Sequence, residues 1–256
     1  MSASSSPLSA SPSPPRAVEA KVFPYWLAGA TAVAALGAIV GALCAVHDPR
    51  WQWLHWLCKP LATALIFALA WCARPMLSLH YRRWICTGIA FSLLGDVLLM
   101  LPQDLFVPGL VAFLFGHVCF LTAFLGDSRF AARPWLLFAS LGYGAVNLYL
   151  LWDSIGATLR VPVIVYVLVL ASMGGQALVR ARVFAPRGDA QSGSARGAAV
   201  GALLFMLSDS LLAWNRFHAA IPLSNLWVLT TYYLAVWWIA RSVQRDDILI
   251  EAEAAH

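Results

Sequence analysis

The strongest constraint on the fold of this chain is a series of apolar runs, each about as long as a bilayer is thick. A helix needs about 20 consecutive apolar residues to cross the hydrocarbon core of a membrane. The candidate spans are Val22–Ala45, Leu57–Ala73, Trp84–Leu101, Leu105–Leu125, Pro134–Leu151, Val161–Val179, Ala198–Trp214 and Leu223–Ala240. The sequence therefore predicts an all-α polytopic membrane protein of about eight transmembrane helices.

Composition supports a membrane location for nearly the whole chain. Hydrophobic residues make up 61% of the sequence and charged residues only 11%, whereas soluble domains are about 25% charged. We expect a disordered, Ser/Pro/Ala-rich cytoplasmic tail over residues 1–21, a membrane domain over 22–240 and a cytoplasmic C-terminal tail over 241–256. The five cysteines form no metal-ligand pattern, and we predict no metal site.

Basic residues predict the orientation of the spans. Of the 17 Lys and Arg residues, only Arg50, Lys59, Arg160 and Arg216 fall on one side of the eight-span topology. Because positive charge accumulates in cytoplasmic loops, both termini are predicted to be cytoplasmic. Residues 180–197, rich in Gly, Ser and Arg, are expected to form a mobile cytoplasmic loop. This distribution also argues against nucleic-acid binding, because the basic residues mark loops and form no binding patch.

Two aspartates inside apolar spans are the most informative residues. A charged side chain at the centre of a membrane is costly, and such residues commonly mark function. Asp96 and Asp209 each lie five residues before the outer end of their predicted spans, in helices that run in the same direction. The two carboxylates are therefore predicted to lie at a similar depth.

Further polar residues are predicted to gather around these aspartates. They are Lys59, His117, Asn147, Tyr166, Ser208, Asn215, Arg216 and Tyr233. They predict a pocket that opens toward the non-cytoplasmic side, with His117 and Tyr233 deeper than the rest. The alternative for either aspartate is a structural ion pair with Lys59 or Arg216 that only holds helices together.

An internal repeat is also possible. The residues around Asp96 (LGDVLL) parallel those around Asp209 (LSDSLL), and their spans are four apart. A duplicated four-helix unit would produce this spacing, as internal repeats do in many membrane proteins.

The chain resembles the YhhN family of multi-span membrane proteins, which includes the lysoplasmalogenases. The motifs that carry the resemblance are Lys59-Pro60, LLGDVLLML, FVPGLVAFLFGHVCF, VPVIVYVLVLASM, GALLFMLSDSLLAWNRF and Tyr232-Tyr233. They cover the second to the eighth span. One departure is Val236, where family members often have Gln; if that position contacts the substrate, we expect a different specificity.

The resemblance implies hydrolysis of the vinyl ether bond of lysoplasmalogens, which releases a fatty aldehyde and a glycerophospho-alcohol. It implies no cofactor and a membrane lipid as substrate; the predicted location is the bacterial inner (plasma) membrane. Paired carboxylates suit this reaction because one can donate a proton while the other stabilises a cation. The sequence does not assign the two roles, although Arg216, about two turns beyond Asp209, favours an ionised Asp209 and a protonated Asp96.

Three other functions compete with this interpretation. An intramembrane aspartyl protease is disfavoured because its Tyr-Asp and GxGD signals are absent. A transporter or proton-coupled channel could use the same Asp and His residues, and would need a polar passage toward Arg74 or Arg182. A non-catalytic lipid-binding protein would have a similar pocket, and only an activity assay separates it from an enzyme.

Overall fold

The computed structural model describes residues 25–245, and in that range it contains eight α-helices and no β-strand. The helices are α1 Tyr25–Cys44, α2 Gln52–Cys72, α3 Leu79–Met100, α4 Phe106–Leu125, α5 Pro134–Leu151, α6 Ala157–Phe184, α7 Ala190–Phe217 and α8 Ser224–Arg241. Each predicted span corresponds to one helix, so the prediction of an all-α fold is confirmed.

Helices α1 to α7 are long and apolar enough to cross a membrane. Helix α8 is as long as α5 but is the exception because it is less apolar, with a polar segment, Thr230 to Tyr233, at its centre. Those polar residues do not all face lipid: Tyr232 and Tyr233 are buried against the rest of the bundle. The count of eight helices is therefore confirmed, with seven that meet the criterion for a membrane span.

The expected mobile loop over residues 180–197 is wrong. Helix α6 continues to Phe184, a short 3-10 turn follows, and α7 already begins at Ala190. Gly188 makes the connection compact because it adopts a left-handed conformation with φ of 63°. The Asp189 side chain then caps α7 by accepting a hydrogen bond from the Ser192 amide.

A buried ion pair holds the start of the segment that was expected to be a mobile loop. Arg180 is fully buried, and its guanidinium donates three hydrogen bonds to the Asp127 carboxylate, the shortest 2.7 Å. The same guanidinium lies 4.8 Å from the centre of the Tyr81 ring. Arg180 is thus a packing residue of α6 rather than a loop residue.

Small residues allow the helices to approach closely in pairs. Helices α3 and α4, α7 and α8, and α1 and α2 form the most extensive contacts. A Cβ atom on Gly95 would lie 2.5 Å from the Phe113 ring, and one on Gly201 would lie 2.7 Å from the Ala235 carbonyl oxygen. Such close backbone approach is typical of membrane helix pairs. The next residue, Asp96, points away from this contact toward α2 and α8.

The predicted terminal tails lie largely outside the described residues, which exclude 1–24 and 246–256. Within the described part, Ser242, Val243 and Gln244 are buried, and the Val243 carbonyl accepts a hydrogen bond from the Leu77 amide. The end of α8 is therefore packed against the segment before α3. The cytoplasmic orientation of both ends and the four-plus-four repeat stay predictions.

Candidate functional site

Asp96 lies in a buried cluster formed by three helices. The residue is only 1% exposed. Thr63 and Tyr232 donate hydrogen bonds of 2.6 Å and 2.7 Å to its Oδ2 atom. The other carboxylate oxygen, Oδ1, lies 3.7 Å from the Lys59 ammonium. A buried carboxylate is stable only when it is paired and hydrogen-bonded, and Asp96 has donors at both oxygens.

The local sequence explains how α2 supplies two of these partners. Lys59 and Thr63 are four residues apart and therefore lie on the same face of the helix. Tyr232 comes from α8, at the opposite end of the chain. The cluster consequently ties α2, α3 and α8 together around one carboxylate.

Asp209 lies in a second cluster, formed by α4, α6 and α7. Tyr166 donates a hydrogen bond of 2.5 Å to Asp209 Oδ2, and His117 Nε2 lies 3.3 Å from the same oxygen. His117 Nε2 is also 3.0 Å from the Tyr166 hydroxyl. Both contacts with Asp209 are made to Oδ2, so within residues 25–245 the Oδ1 atom has no hydrogen-bond partner.

Both aspartates line one polar cavity of about 300 Å³. Its other polar lining residues are His55, Lys59, Asp104, Ser208, Asn215, Arg216, Asn225 and Tyr232. The prediction that the two carboxylates share one pocket therefore agrees with the geometry. The cavity lies between the ends of helices α2, α3, α7 and α8.

Aromatic rings connect the two clusters at the base of this cavity. The Phe205 ring lies 4.6 Å from the His117 ring and 5.6 Å from the Tyr232 ring, in both cases edge to face. Phe113 packs against Phe205 and Tyr232 at 6.2 Å and 5.9 Å. Side chains that bind different carboxylates are therefore held in one rigid aromatic layer, which closes the cavity on its inner side.

Arg216 does not pair with Asp209. Its guanidinium forms a 2.8 Å ion pair with Asp104, a residue of the α3–α4 connection, and stacks on Phe106 at 5.0 Å. The sequence argument that Arg216 keeps Asp209 ionised is therefore wrong, because the cation nearest to a site carboxylate is Lys59 beside Asp96. Arg216 lies at the cavity mouth, where 43% of its side chain is exposed.

The remaining predicted residues occupy different positions. Ser208 and Asn215 line the cavity, but Ser208 donates to the Val228 carbonyl and Asn215 accepts from the Ile221 amide. Asn147 belongs to α5, on the other side of α7 from the cavity. Its side-chain oxygen accepts a 3.0 Å hydrogen bond from the Trp214 indole. Tyr233 does not line the cavity, and its buried hydroxyl has no partner among the described residues.

Sequence reasoning missed three residues of this site. Thr63 and Tyr232 bind Asp96, and Asp104 holds Arg216. The spacing of Thr63 from Lys59 was an available signal because four residues return a helix to the same face. Asp104 lies in a connection, where a charged residue carries no such signal.

An apolar crevice adjoins the polar cavity. It has a volume of about 80 Å³ and is lined by residues of α4 to α7 and Ile155. Phe106, Asp209 and Leu212 line both spaces. Asp209 is therefore the carboxylate that lies at the boundary between a polar and an apolar compartment.

Within residues 25–245, no group of three or more His, Cys, Asp or Glu side chains is arranged to hold a metal ion. The polar groups of the site are instead engaged with one another through the hydrogen bonds described above.

The fold and the site define a polytopic membrane protein with two carboxylates at one cavity. The YhhN family model matches residues 54–243, and the chain belongs to the YhhN family. The resemblance expected from the motifs is thereby confirmed. No solved structure matches the chain significantly.

Similar proteins occur in animals and bacteria. The chain is 32% identical over 203 residues to human "Lysoplasmalogenase TMEM86B", with 79% of this chain and 81% of that protein covered. It is 30% identical over 196 residues to human "Lysoplasmalogenase TMEM86A", covering 76% and 79%. It is 34% identical over 198 residues to the "Lysoplasmalogenase" of Mycobacterium bovis, covering 74% and 66%.

Proposed function

We propose that this membrane protein is an enzyme that hydrolyses the vinyl ether bond of lysoplasmalogens. The products are a fatty aldehyde and glycerophospho-ethanolamine or glycerophospho-choline. Family relatives named lysoplasmalogenase support the reaction. The observation that carries the proposal is the presence of two carboxylates at one cavity with different hydrogen-bond environments.

The chemistry of a vinyl ether requires an acid and a negative charge. Protonation of the carbon remote from the ether oxygen leaves an oxocarbenium ion, as in the transition states of glycoside hydrolysis. Water then adds to the cationic carbon, and the resulting hemiacetal collapses to aldehyde and alcohol. One carboxylic acid and one carboxylate are sufficient for these steps.

Asp96 suits the role of the ionised carboxylate. Both of its oxygens face donors, since Lys59 lies beside Oδ1 and two hydroxyl groups donate to Oδ2. A proton on either oxygen would have to displace one of these contacts. Asp96 therefore stays ionised through the reaction and stabilises the oxocarbenium ion electrostatically.

Asp209 suits the role of the acid. Its Oδ2 atom accepts from Tyr166 and contacts His117, as the carbonyl oxygen of a carboxylic acid would. The Oδ1 atom is free to carry the proton and give it to the vinyl carbon. The Asp209 carboxylate left behind then accepts the proton released by the attacking water, as the same residue does in retaining glycosidases. Each turnover therefore consumes one water molecule and leaves Asp209 protonated again.

Arg216 suits recognition of the lipid phosphate. It is the exposed cation at the cavity mouth, and phosphate could take the place of Asp104 on its guanidinium. Lys59 is less suited to this role because its ammonium is buried beside Asp96. The phosphate would then lie at the outer surface while the ether bond reaches Asp209.

The transport alternative receives no support from the cavities. A second polar cavity of about 430 Å³ lies at the other end of the bundle, lined by residues that include His80, Asp127 and Asp189. It shares no lining residue with the aspartate cavity. The buried rings of Phe120, Phe124 and Phe205 lie in the core between them, which disfavours a polar passage.

The proposal also covers the orientation of the protein and the membrane in which it lies. We place the protein in the bacterial inner membrane with both termini in the cytoplasm; the orientation follows from the Lys and Arg residues, of which all but Arg50, Lys59, Arg160 and Arg216 fall on that side. A reporter fused after Arg245 that is active only in the cytoplasm tests the orientation. Activity of a periplasmic reporter at the same position would reverse it.

Activity of purified protein with three variants tests the function. Asp96→Asn and Asp209→Asn should each lower aldehyde release from a lysoplasmalogen by at least about 100-fold, the usual contribution of a general acid or base. Asp153→Asn, at an exposed position, is the matched control and should retain wild-type activity. A saturated alkyl-ether lysolipid should not be cleaved, since it has no carbon to protonate.

Isotope incorporation separates this mechanism from any other route to the aldehyde. In heavy water, the aldehyde should carry one deuterium on the carbon next to the carbonyl, because that carbon receives the acid proton. Aldehyde without this deuterium would exclude carbon protonation. Near-wild-type turnover by a folded Asp96→Asn or Asp209→Asn variant would exclude the two-carboxylate mechanism.

A further inference from the structure

The apolar crevice beside Asp209 lies between two helices that hardly touch. Helices α5 and α7 each pack extensively against α6, but they have very few contacts with each other. The crevice occupies the space between them, with Tyr143, Leu148 and Leu151 on α5 and Met206 and Ala213 on α7. Its lining is almost entirely apolar apart from Asp209 and the groups that bridge the two helices.

Two side-chain hydrogen bonds cross this gap. The Tyr143 hydroxyl donates to Ser210 Oγ at 2.9 Å, and the Trp214 indole donates to Asn147 Oδ1 at 3.0 Å. Tyr143 is 42% exposed, so the first bridge lies at the lipid-facing surface of the bundle. The bridges are four residues apart on each helix, and they therefore span successive turns of α5 and α7.

The position of the crevice matches the shape of a single-chain lipid. Asp209 lies where the crevice meets the polar cavity, and the vinyl ether of the proposed substrate lies where a hydrocarbon chain meets a polar glycerol. An alkyl chain that enters the crevice from the bilayer exchanges one apolar environment for another and desolvates few polar groups, because the lining offers few. The same chain in the polar cavity would contact charged residues instead.

We propose that the crevice between α5 and α7 binds the hydrocarbon chain of the substrate and admits it sideways from the bilayer. The proposal rests on the proposed function for the identity of the lipid, but its binding arm does not depend on catalysis. The volume of about 80 Å³ is too small for a long chain, so α5 has to move away from α7. This movement breaks the two bridges and little direct packing between the helices.

Photolabelling of the wild-type protein tests the site directly. The probe is a saturated alkyl-ether lysolipid with a diazirine near the middle of its chain, used in phosphatidylcholine vesicles. It should label peptides of α5, α6 and α7 that line the crevice, and excess long-chain lysolipid should abolish that labelling. Competed labelling confined to other helices, or none that is competed, would overturn the proposal.

This probe distinguishes the two proposals because the enzyme cannot hydrolyse it. If the proposed function fails, the wild-type protein releases no aldehyde from lysoplasmalogen, whatever the labelling pattern. If the crevice proposal fails, aldehyde is released but the label lies elsewhere. Each result therefore refers to one proposal.

Chain-length dependence provides a second test, with a matched pair of variants. Ala213→Phe places a ring in the crevice, whereas Ala145→Phe places the same ring on the exposed face of α5. With a substrate of about 16 carbons, Ala213→Phe should lower kcat/KM at least about tenfold, because the ring occupies space that the chain needs and overpacking an apolar site typically costs at least that factor. With about 8 carbons, both variants should remain within about twofold of wild type.

The loss of kcat/KM on the long substrate, compared with that on the short one, decides whether the crevice binds the chain. A larger effect on the long substrate, limited to Ala213→Phe, supports chain binding in the crevice. Equal losses on both substrates in a protein that elutes as a folded species would overturn it, as would an equal effect of Ala145→Phe. If Ala213→Phe does not fold, Leu148→Trp introduces bulk on the opposite wall, with Val146→Trp as the exposed control.

Discussion

Tyr166 donates a 2.5 Å hydrogen bond to the carboxylate of Asp209, although 43 residues separate them in the chain. The bond joins α6 to α7 at the boundary between the polar cavity and the apolar crevice. The neighbouring His117 is fully buried and contacts both groups through Nε2. The carboxyl group is therefore held in one orientation, with Oδ1 left for the substrate.

Removing this hydroxyl should impair catalysis more than substrate binding. Tyr166→Phe leaves the ring packing but frees Asp209 to rotate, so we expect kcat to fall by about 10- to 100-fold with KM changed much less. Tyr149→Phe, at an 80% exposed position of α5, is the control. Steady-state kinetics on lysoplasmalogen measure the difference. A rise in KM at constant kcat would instead assign Tyr166 to substrate binding.

Lys59 should act only through Asp96. Lys59→Met removes the cation beside a buried carboxylate, and that carboxylate then becomes protonated or unstable. We expect aldehyde release to fall by at least about tenfold, and Lys59→Arg to retain more activity than Lys59→Met because the charge is kept. In a Lys59→Met/Asp96→Asn double variant the losses should not add, since both changes disable one pair. Fully additive losses would contradict this coupling.

Because α7 and α8 are in close contact at Gly201, a methyl group added there should destabilise the protein, whereas one added at an open position should not. A Cβ on Gly201 would lie within 2.9 Å of both the Ala235 carbonyl oxygen and the Ile239 amide nitrogen, neither of which can move without the helix. Gly201→Ala should therefore destabilise the protein by about 1–3 kcal/mol, the usual cost of overpacking. Gly142→Ala, with open space around it on α5, should not lower stability. Thermal unfolding in detergent compares them; equal melting temperatures would disprove the contact.

The buried ion pair of Arg180 and Asp127 should matter for stability rather than for activity. Arg180→Met leaves Asp127 without its main partner and should cost about 3 kcal/mol, the lower end for a broken buried pair, because Asp127 is partly exposed. Arg182→Met, at an exposed position on the same helix, should have little effect. The measurement is the midpoint of thermal unfolding. Activity at low temperature should be retained by both variants, since the aspartate cavity shares no residue with this pair.

The sequence was sufficient for the helices and the aspartates, because a charge within an apolar run is conspicuous. Asp96 and Asp209 stand out for this reason, and a similar depth followed from the direction of their spans. The partners were harder to identify. Thr63 is an ordinary residue in a membrane helix, and only the fold places it 2.6 Å from a carboxylate.

Composition was misleading where tertiary packing decides the structure. Residues 180–197 have the Gly, Ser and Arg content of a loop, yet most of them are helical because α6 and α7 pack against each other there. Arg216 seemed close to Asp209 along one helix, but its long side chain turns to Asp104 on another segment. Neither outcome follows from local spacing, because each depends on a neighbour distant in sequence.

Tyr232 and Tyr233 provide the sharpest test of the site, because they are adjacent, both buried and differ in what their hydroxyl groups contact. Tyr232 donates to Asp96 at 2.7 Å, whereas the Tyr233 hydroxyl has no partner among the described residues. Tyr232→Phe should lower activity by about tenfold, since it removes a hydrogen bond to a charged group worth about 1.5–3 kcal/mol. Tyr233→Phe should retain activity and equal or exceed the wild-type melting temperature, because it removes a buried polar group that is unsatisfied. The reverse order of activity in two folded variants would place Tyr233, rather than Tyr232, beside the reacting lipid.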